Sequence, residues 1–163
     1  MKRATYPLLL SLAALALGSC ATPTVSLSLG FPSQEAFLVT TNVDIYVVPL
    51  GGDLTQCATL LNAAVQGADV PASASFTNLT PCSLLGRAVL PDPGGDPSAF
   101  IVLGRATNGV ILGGCSVAQA YPGGPEIRVE LFPTDTSDYD DAVTAAHLAP
   151  GSTADQRCAG STP

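Results

Sequence analysis

Five cysteines, one histidine and a run of aspartates hold the side-chain chemistry available to this chain. Cys57, Cys82, Cys115 and Cys158 are spaced by 25, 33 and 43 residues, with no C-x-x-C pair among them. A structural zinc site uses short paired spacings of cysteine and histidine. The single histidine, His147, cannot complete such a set. An even number of thiols in an exported chain reads instead as two disulfides. His147 has the ionisation range of a general base, but no serine or cysteine nucleophile is assigned beside it, so a surface or packing role is expected. Asp135, Asp138, Asp140 and Asp141 offer hard oxygen ligands of the kind calcium takes. The D-x-D-x-D-G order, the turn glycine and the closing glutamate are all missing, and an acidic helix start accounts for the same residues. Gly94-Gly95 and Gly123-Gly124 are flanked by prolines and open no helix, so they are not phosphate cradles. Asn78-Leu79-Thr80 fits a glycosylation sequon, but Pro81 follows it. The expectation is a chain without catalytic residues, metal or cofactor.

The elements that must position these residues are short. Val25 to Leu29 alternates strictly, the period of a half-buried strand. A second strand region covers Ala36–Thr41 and Val43–Val48 with a break near Asn42, and Ile45-Tyr46-Val47-Val48 reads as core sheet. Asp53–Gln66 is expected to be a helix. Asp53 and Gln56 resemble a capping box, Cys57, Leu60, Leu61 and Ala64 share one face, and Gly67 caps the end. Ser73–Leu79 and Leu84–Leu90 read as strands, and Pro91–Pro97 as a loop. Phe100–Ala106, Asn108-Gly109 and Val110–Val117 form the clearest unit, a hairpin on a type I′ turn. Gly113-Gly114 is a candidate bulge. Pro122–Pro125 turns into Glu126–Phe132, where Ile127, Val129 and Leu131 face one way. Asp135–His147 allows a short helix with Ser137 as its cap, and Pro150–Pro163 reads as an irregular tail.

Cys57 lies on the buried stripe of the helix and Cys115 on the returning hairpin strand. Cys158 lies in the tail and Cys82 in a loop. Four cysteines permit three connectivities. Pairing Cys57 with Cys115 and Cys82 with Cys158 gives two staples with separate tasks, and it is the favoured arrangement.

The fifth cysteine belongs to the N-terminus. Met1-Lys2-Arg3 is a positive n-region and Pro7–Leu17 an apolar h-region, too short to span a bilayer. It ends in Leu17-Gly18-Ser19-Cys20. This ending resembles the lipobox of bacterial prolipoproteins. The resemblance implies removal of residues 1–19, acyl chains on Cys20, and a tether of residues 20–24. It also implies a place in the cell envelope. Ala21 is not the aspartate of inner-membrane retention, so the outer membrane is expected where the source has one. Residues 20–163 would hold four arginines against thirteen acidic residues, a side-chain balance of −9. Such a charge repels nucleic acid and anionic headgroups, leaving acyl chains as the contact with the membrane.

The mature part is rich in Gly, Pro, Ser and Thr and poor in aromatics, a mix for strands and turns. The cadence Phe76-Thr77-Asn78-Leu79, then Val102-Leu103-Gly104-Arg105-Ala106-Thr107-Asn108-Gly109-Val110-Ile111-Leu112-Gly113-Gly114-Cys115, resembles the transthyretin-like, carboxypeptidase-regulatory-like β-sandwiches of bacterial envelope lipoproteins. That resemblance implies an all-β, Ig-like/transthyretin-like antiparallel sandwich at 25–133. The packed helix at 53–66, read from its own cap and apolar face, departs from the simplest such sandwich, and the short C-terminal helix is likewise read from its own residues. The tail, 134–163, packs on the sandwich. The resemblance implies a non-catalytic binding or structural module for an envelope protein or glycan, and transfers no functional residue. The alternative is a periplasmic carrier holding a small apolar ligand between its sheets. A large cavity behind Phe100–Ala106 and Ile127–Leu131 would favour the carrier. A solid core would favour the partner-binding module.

Overall fold

The computed structural model describes residues 24–159 except 72, 86–87 and 108. The signal segment, Cys20, most of the tether, Asn108 of the hairpin turn and the last four residues lie outside the described residues.

The chain runs β1 (Thr24–Gly30), α1 (Gln34–Val39), β2 (Asn42–Pro49), α2 (Cys57–Val65), β3 (Ser75–Leu79), α3 (Pro81–Leu84), β4 (Ala88–Pro91), β5 (Pro97–Ala106), β6 (Gly109–Gln119), β7 (Ile127–Glu130), β8 (Phe132–Pro133), α4 (Thr136–Ala145) and α5 (Ala154–Cys158). Two sheets form, ordered β4-β1-β7 and β3-β2-β5-β6-β8. The protein is a mostly-β sandwich of two sheets with a few short helices.

Alternation along the strands builds the interior. Val25 and Leu27 of β1, Leu90 of β4, and Ile127 and Val129 of β7 pack against Val43, Ile45, Phe100 and Val102 of the larger sheet. The opposite face of that sheet, through Ala99, Ile101 and Leu103, packs against Leu60, Leu61, Ala64 and Val65 of α2. β5 is therefore buried on both sides, which explains its unbroken apolar run. The molecule has three layers: small sheet, large sheet, helix.

Several expectations change. Ala36–Thr41 is not strand. Ser33 Oγ accepts the Ala36 N–H at 3.0 Å and starts α1, and Thr40 Oγ1 donates to the Ala36 carbonyl at 2.7 Å at its end. A short apolar run carries no decisive period, so the cap and the burial of Ala36, Phe37 and Val39 choose helix. Of Leu84–Leu90, Leu84 ends a turn of helix that Thr80 caps with Pro81 at its first position, and Ala88–Leu90 is strand. The helix after Asp53 begins as a 3₁₀ turn, Leu54–Gln56, and becomes α at Cys57. Asp53 caps it by accepting from Thr55, while Gln56 clasps the Asp53 carboxylate rather than its backbone. Gly67, at φ +71°, follows the end of α2 as expected.

The bulge falls at Ile111 rather than at Gly113-Gly114. Gly104 pairs with Leu112 and Arg105 with Val110, leaving Ile111 as the extra residue. The sandwich is not wholly antiparallel, since β1 pairs with β7 in parallel. β7 passes directly through Leu131 into β8, so one stretch of chain joins both sheets at this edge. Gly114 permits this crossing: a Cβ there would collide with the Glu130 carbonyl and press on Val129 and Leu131. α4 is capped by Asp135, not Ser137; Asp135 Oδ1 accepts the N–H groups of Ser137 and Asp138 at 2.8 and 3.2 Å. The tail is not irregular throughout: Thr153 and Gln156 form a reciprocal capping box that starts α5.

Candidate binding site around Arg105

A single acidic residue interrupts the apolar run of β2. Period two places Asp44 on the same face as Tyr46 and Val48, toward α2. The strand register then sets its neighbours. Asn78 of β3 lies directly opposite Asp44, and Arg105 of β5 lies two positions diagonal, opposite Asn42. Asp44 Oδ1 accepts from Asn78 Nδ2 at 2.5 Å, and Oδ2 accepts from Arg105 Nε at 2.5 Å. The Asp44 side chain is 7 % exposed and that of Arg105 38 %. A buried carboxylate is tolerable when both oxygens are bonded and one partner is a cation. The hydrogen bond to Asp44 raises the Arg105 guanidinium above its ordinary value, with partial burial opposing. Arg105 is a fixed cation.

Its outer edge lines two open clefts. One, of about 450 Å³, runs between the end of α2 at Gln66-Gly67, Val110 and the start of α4, with Asp135, Asp138 and Asp141 on its wall. The other, of about 460 Å³, lies between the segment after α2, including Asp69 and Ala74, and the aromatic pair Tyr46–Phe76. The two rings stand 5.0 Å apart at 44°. Phe76 is 55 % exposed, a large apolar ring beside a cation and carboxylates. This surface offers ring stacking, a guanidinium donor and acidic acceptors. A third cleft, of about 460 Å³, separates α2 from the edge at β8, between Leu61 and the exposed ring of Phe132.

The sequence-expected residues fall as follows. The structure places Cys57 and Cys115 at disulfide distance, with Cα atoms 5.9 Å apart, between α2 and β6. Cys82 and Cys158 likewise meet, 5.4 Å apart at Cα, between α3 and α5. His147 is exposed just beyond α4, at φ +45°. Asp138 and Asp141 reach the cleft wall, and Asp135 serves as a cap whose hydrogen bonds, that from Ser137 first, hold its carboxyl below the ordinary 3.8. Among the described residues, no three His, Cys, Asp or Glu side chains are placed to share a metal ion. Cys20 lies outside the described residues, and no described helix is long and apolar enough to cross a membrane.

Sequence reading missed Asp44, Asn78, Arg105 and Phe76 as a unit. One signal was present: a lone charge inside each of two otherwise apolar strands. No family model matches the chain, and no curated protein or solved structure is significantly similar to it.

Proposed function

We propose that this chain is a lipid-anchored envelope lipoprotein whose non-catalytic domain binds a protein or glycan partner through the paired clefts around Arg105. The lipobox-like Leu17-Gly18-Ser19-Cys20 supports the anchor and an envelope location, the outer membrane where the source has one. The finer fold assignment, Ig-like or transthyretin-like, is part of this reading. The two-sheet arrangement supports it, while the parallel β1–β7 pair and the helix on the outer face are additions to the simplest such sandwich.

The observation that carries the choice between binding module and carrier is the filling of the interior. Phe100, Val102, Ile127, Val129 and Leu131, among the residues expected to line a ligand cavity, are at most 5 % exposed and belong to one packed cluster. Protein interiors closed to solvent in this way generally hold few voids larger than a water molecule. Among the described residues, the clefts beside Arg105 lie outside the sheets, where Phe76 and Arg105 face solvent together.

In-cell cross-linking of the native chain, Cys20→Ala and Phe76→Ser tests the reading. A discrete protein or glycan adduct is expected with the native chain, reduced in both variants. A chain recovered alone, with a small apolar molecule co-purifying, would turn the assignment to the carrier. Intact mass of the membrane-fraction protein tests the anchor: a chain starting at Ala21 or later, with no acyl mass, removes it.

A further inference from the structure

We infer that the domain stands upright on the bilayer, with the loops 91–97 and 120–126 resting at the lipid–water interface and the cleft between Arg105 and the start of α4 turned away from it. The inference rests on the acylation of Cys20 proposed above and adds an orientation to it.

The argument begins with covalent reach. Four residue steps separate Cys20 from Thr24, and an extended chain spans at most about 3.6 Å per residue. The start of β1 therefore stays within about 14 Å of the lipidated residue, whatever path the chain takes.

The strand register shows what surrounds that point. Thr24 pairs with Pro91, the last residue of β4. β7 runs parallel to β1 and begins opposite Leu27, so the segment leading into it lies at the same end. β5 starts and β6 finishes there too, with Pro97 opposite Gln119. Gln119 Nε2 donates to the Gly95 carbonyl at 2.8 Å and ties the two loops together. One end of the sandwich thus carries Thr24, these two linked Pro/Gly loops and the Leu50–Asp53 turn, whose Leu50 N–H donates to the Pro97 carbonyl at 3.0 Å.

The chemistry of this end suits an interface without charge attraction. Pro91, Pro122 and Tyr121 are exposed, Tyr121 at 52 %. The Tyr121 carbonyl accepts the Gly124 N–H at 2.9 Å, and the ring lies over Gly124, where a Cβ would come within 3.0 Å of it. The ring is thereby held at the loop tip, with an apolar body and a polar hydroxyl, the build of residues found at headgroup level. Asp53, Asp92, Asp96 and Glu126 at the same end offer no attraction to anionic lipid; Asp92 is engaged by the Gly94 N–H at 3.0 Å. The acyl chains supply the attachment and the loops set the contact.

Distance then places the clefts. Arg105 is eight positions beyond Pro97 along β5, about 26 Å at 3.3 Å per strand residue. That exceeds the reach of the tether, so an upright domain presents Arg105 and the start of α4 to the space beyond the membrane, while Phe76, level with Ile101 through Tyr46, lies midway along the sheet. A partner would be met there rather than in the lipid.

The chain contains no tryptophan, so single reporters are unambiguous. Tyr121→Trp, Val89→Trp and Asp138→Trp would be made in the full chain, purified with the native anchor, and placed in phosphatidylcholine vesicles carrying a lipid quencher at shallow depth. Val89 is 61 % exposed and two residues before Pro91, a second reporter near the same end. The expected order of quenching is Tyr121→Trp, then Val89→Trp, with Asp138→Trp at least several-fold below Tyr121→Trp. Equal quenching, or greater quenching at Asp138→Trp, overturns the orientation. Intact mass on the same samples separates the two failures. Acyl mass with the wrong order removes the orientation alone, whereas no acyl mass removes the lipoprotein reading and the orientation with it.

Discussion

Arg157 Nη1 donates to the Phe37 carbonyl at 2.6 Å, across 120 residues of chain, and its guanidinium carbon sits 5.8 Å from the Phe37 ring centre. The same group donates to Leu38 O at 2.7 Å and, through Nη2, to Thr40 O at 2.7 Å. One side chain of α5 thus satisfies the carbonyls that end α1. Partial burial lowers the guanidinium from its ordinary value, but it remains a cation. Cys158, next in sequence, is joined to Cys82 of α3, so this contact and a disulfide together hold the C-terminal segment on the sandwich.

Arg157→Ala should lower stability by about 2–3 kcal/mol in denaturant unfolding, the size expected for charged hydrogen bonds to partly buried carbonyls. Arg157→Lys should recover less than half, because an ammonium cannot span three carbonyls as a planar fork does. Equal stability of Arg157→Lys and the native protein would refute the capping role.

Gly114→Ala should destabilise by about 2–3 kcal/mol, since the added methyl meets the Glu130 backbone where β7 crosses between sheets. Gly113→Ala should be milder. Its nearest contacts are the side chains of Thr134 and Leu61, at 3.0 and 3.2 Å, which can shift. Thermal unfolding of the two variants reads the difference, and the reverse order would contradict the close approach at Gly114.

Removing either disulfide should cost about 4 kcal/mol on the chain-entropy model, for loops of 58 and 76 residues. The local consequences should differ. Cys57→Ala/Cys115→Ala should raise amide exchange in α2, and Cys82→Ala/Cys158→Ala in α5. Peptide mapping without reduction checks the pairing; a 57–82 cross-linked peptide would exclude it.

Acid should weaken the fold partly through Asp135. Its folded carboxyl is held below 3.8, so its contribution is fully present above that value and fades as pH falls through the lower folded value. Asp135→Asn keeps a capping oxygen and removes the titration. Its stability near neutrality should change little, while the acid limb below pH 3.8 becomes shallower. An unchanged acid limb would show that the cap does not contribute through its charge.

Local physics made much of this fold legible. Alternation at Val25–Leu29 and Ile127–Leu131, Asn-Gly between two apolar runs, and the helical stripe from Cys57 to Val65 depend on neighbours in sequence, and strands, hairpin and helix stand close to where those patterns put them, although Gly109 is not a turn residue but the first of β6, paired with Ala106. What the sequence by itself could not determine depended on partners far along the chain. The run from Ala36 fits strand or helix equally well until Ser33 caps one end and Arg157 the other. β1 gives no sign that its second neighbour will be β7, because parallel pairing leaves no local turn to announce it. Asp44 and Arg105 read as isolated charges until the β2–β5 register sets them side by side, 61 residues apart. Propensity and periodicity are properties of a short window, whereas burial, register and charge pairing are decided only when the layers close.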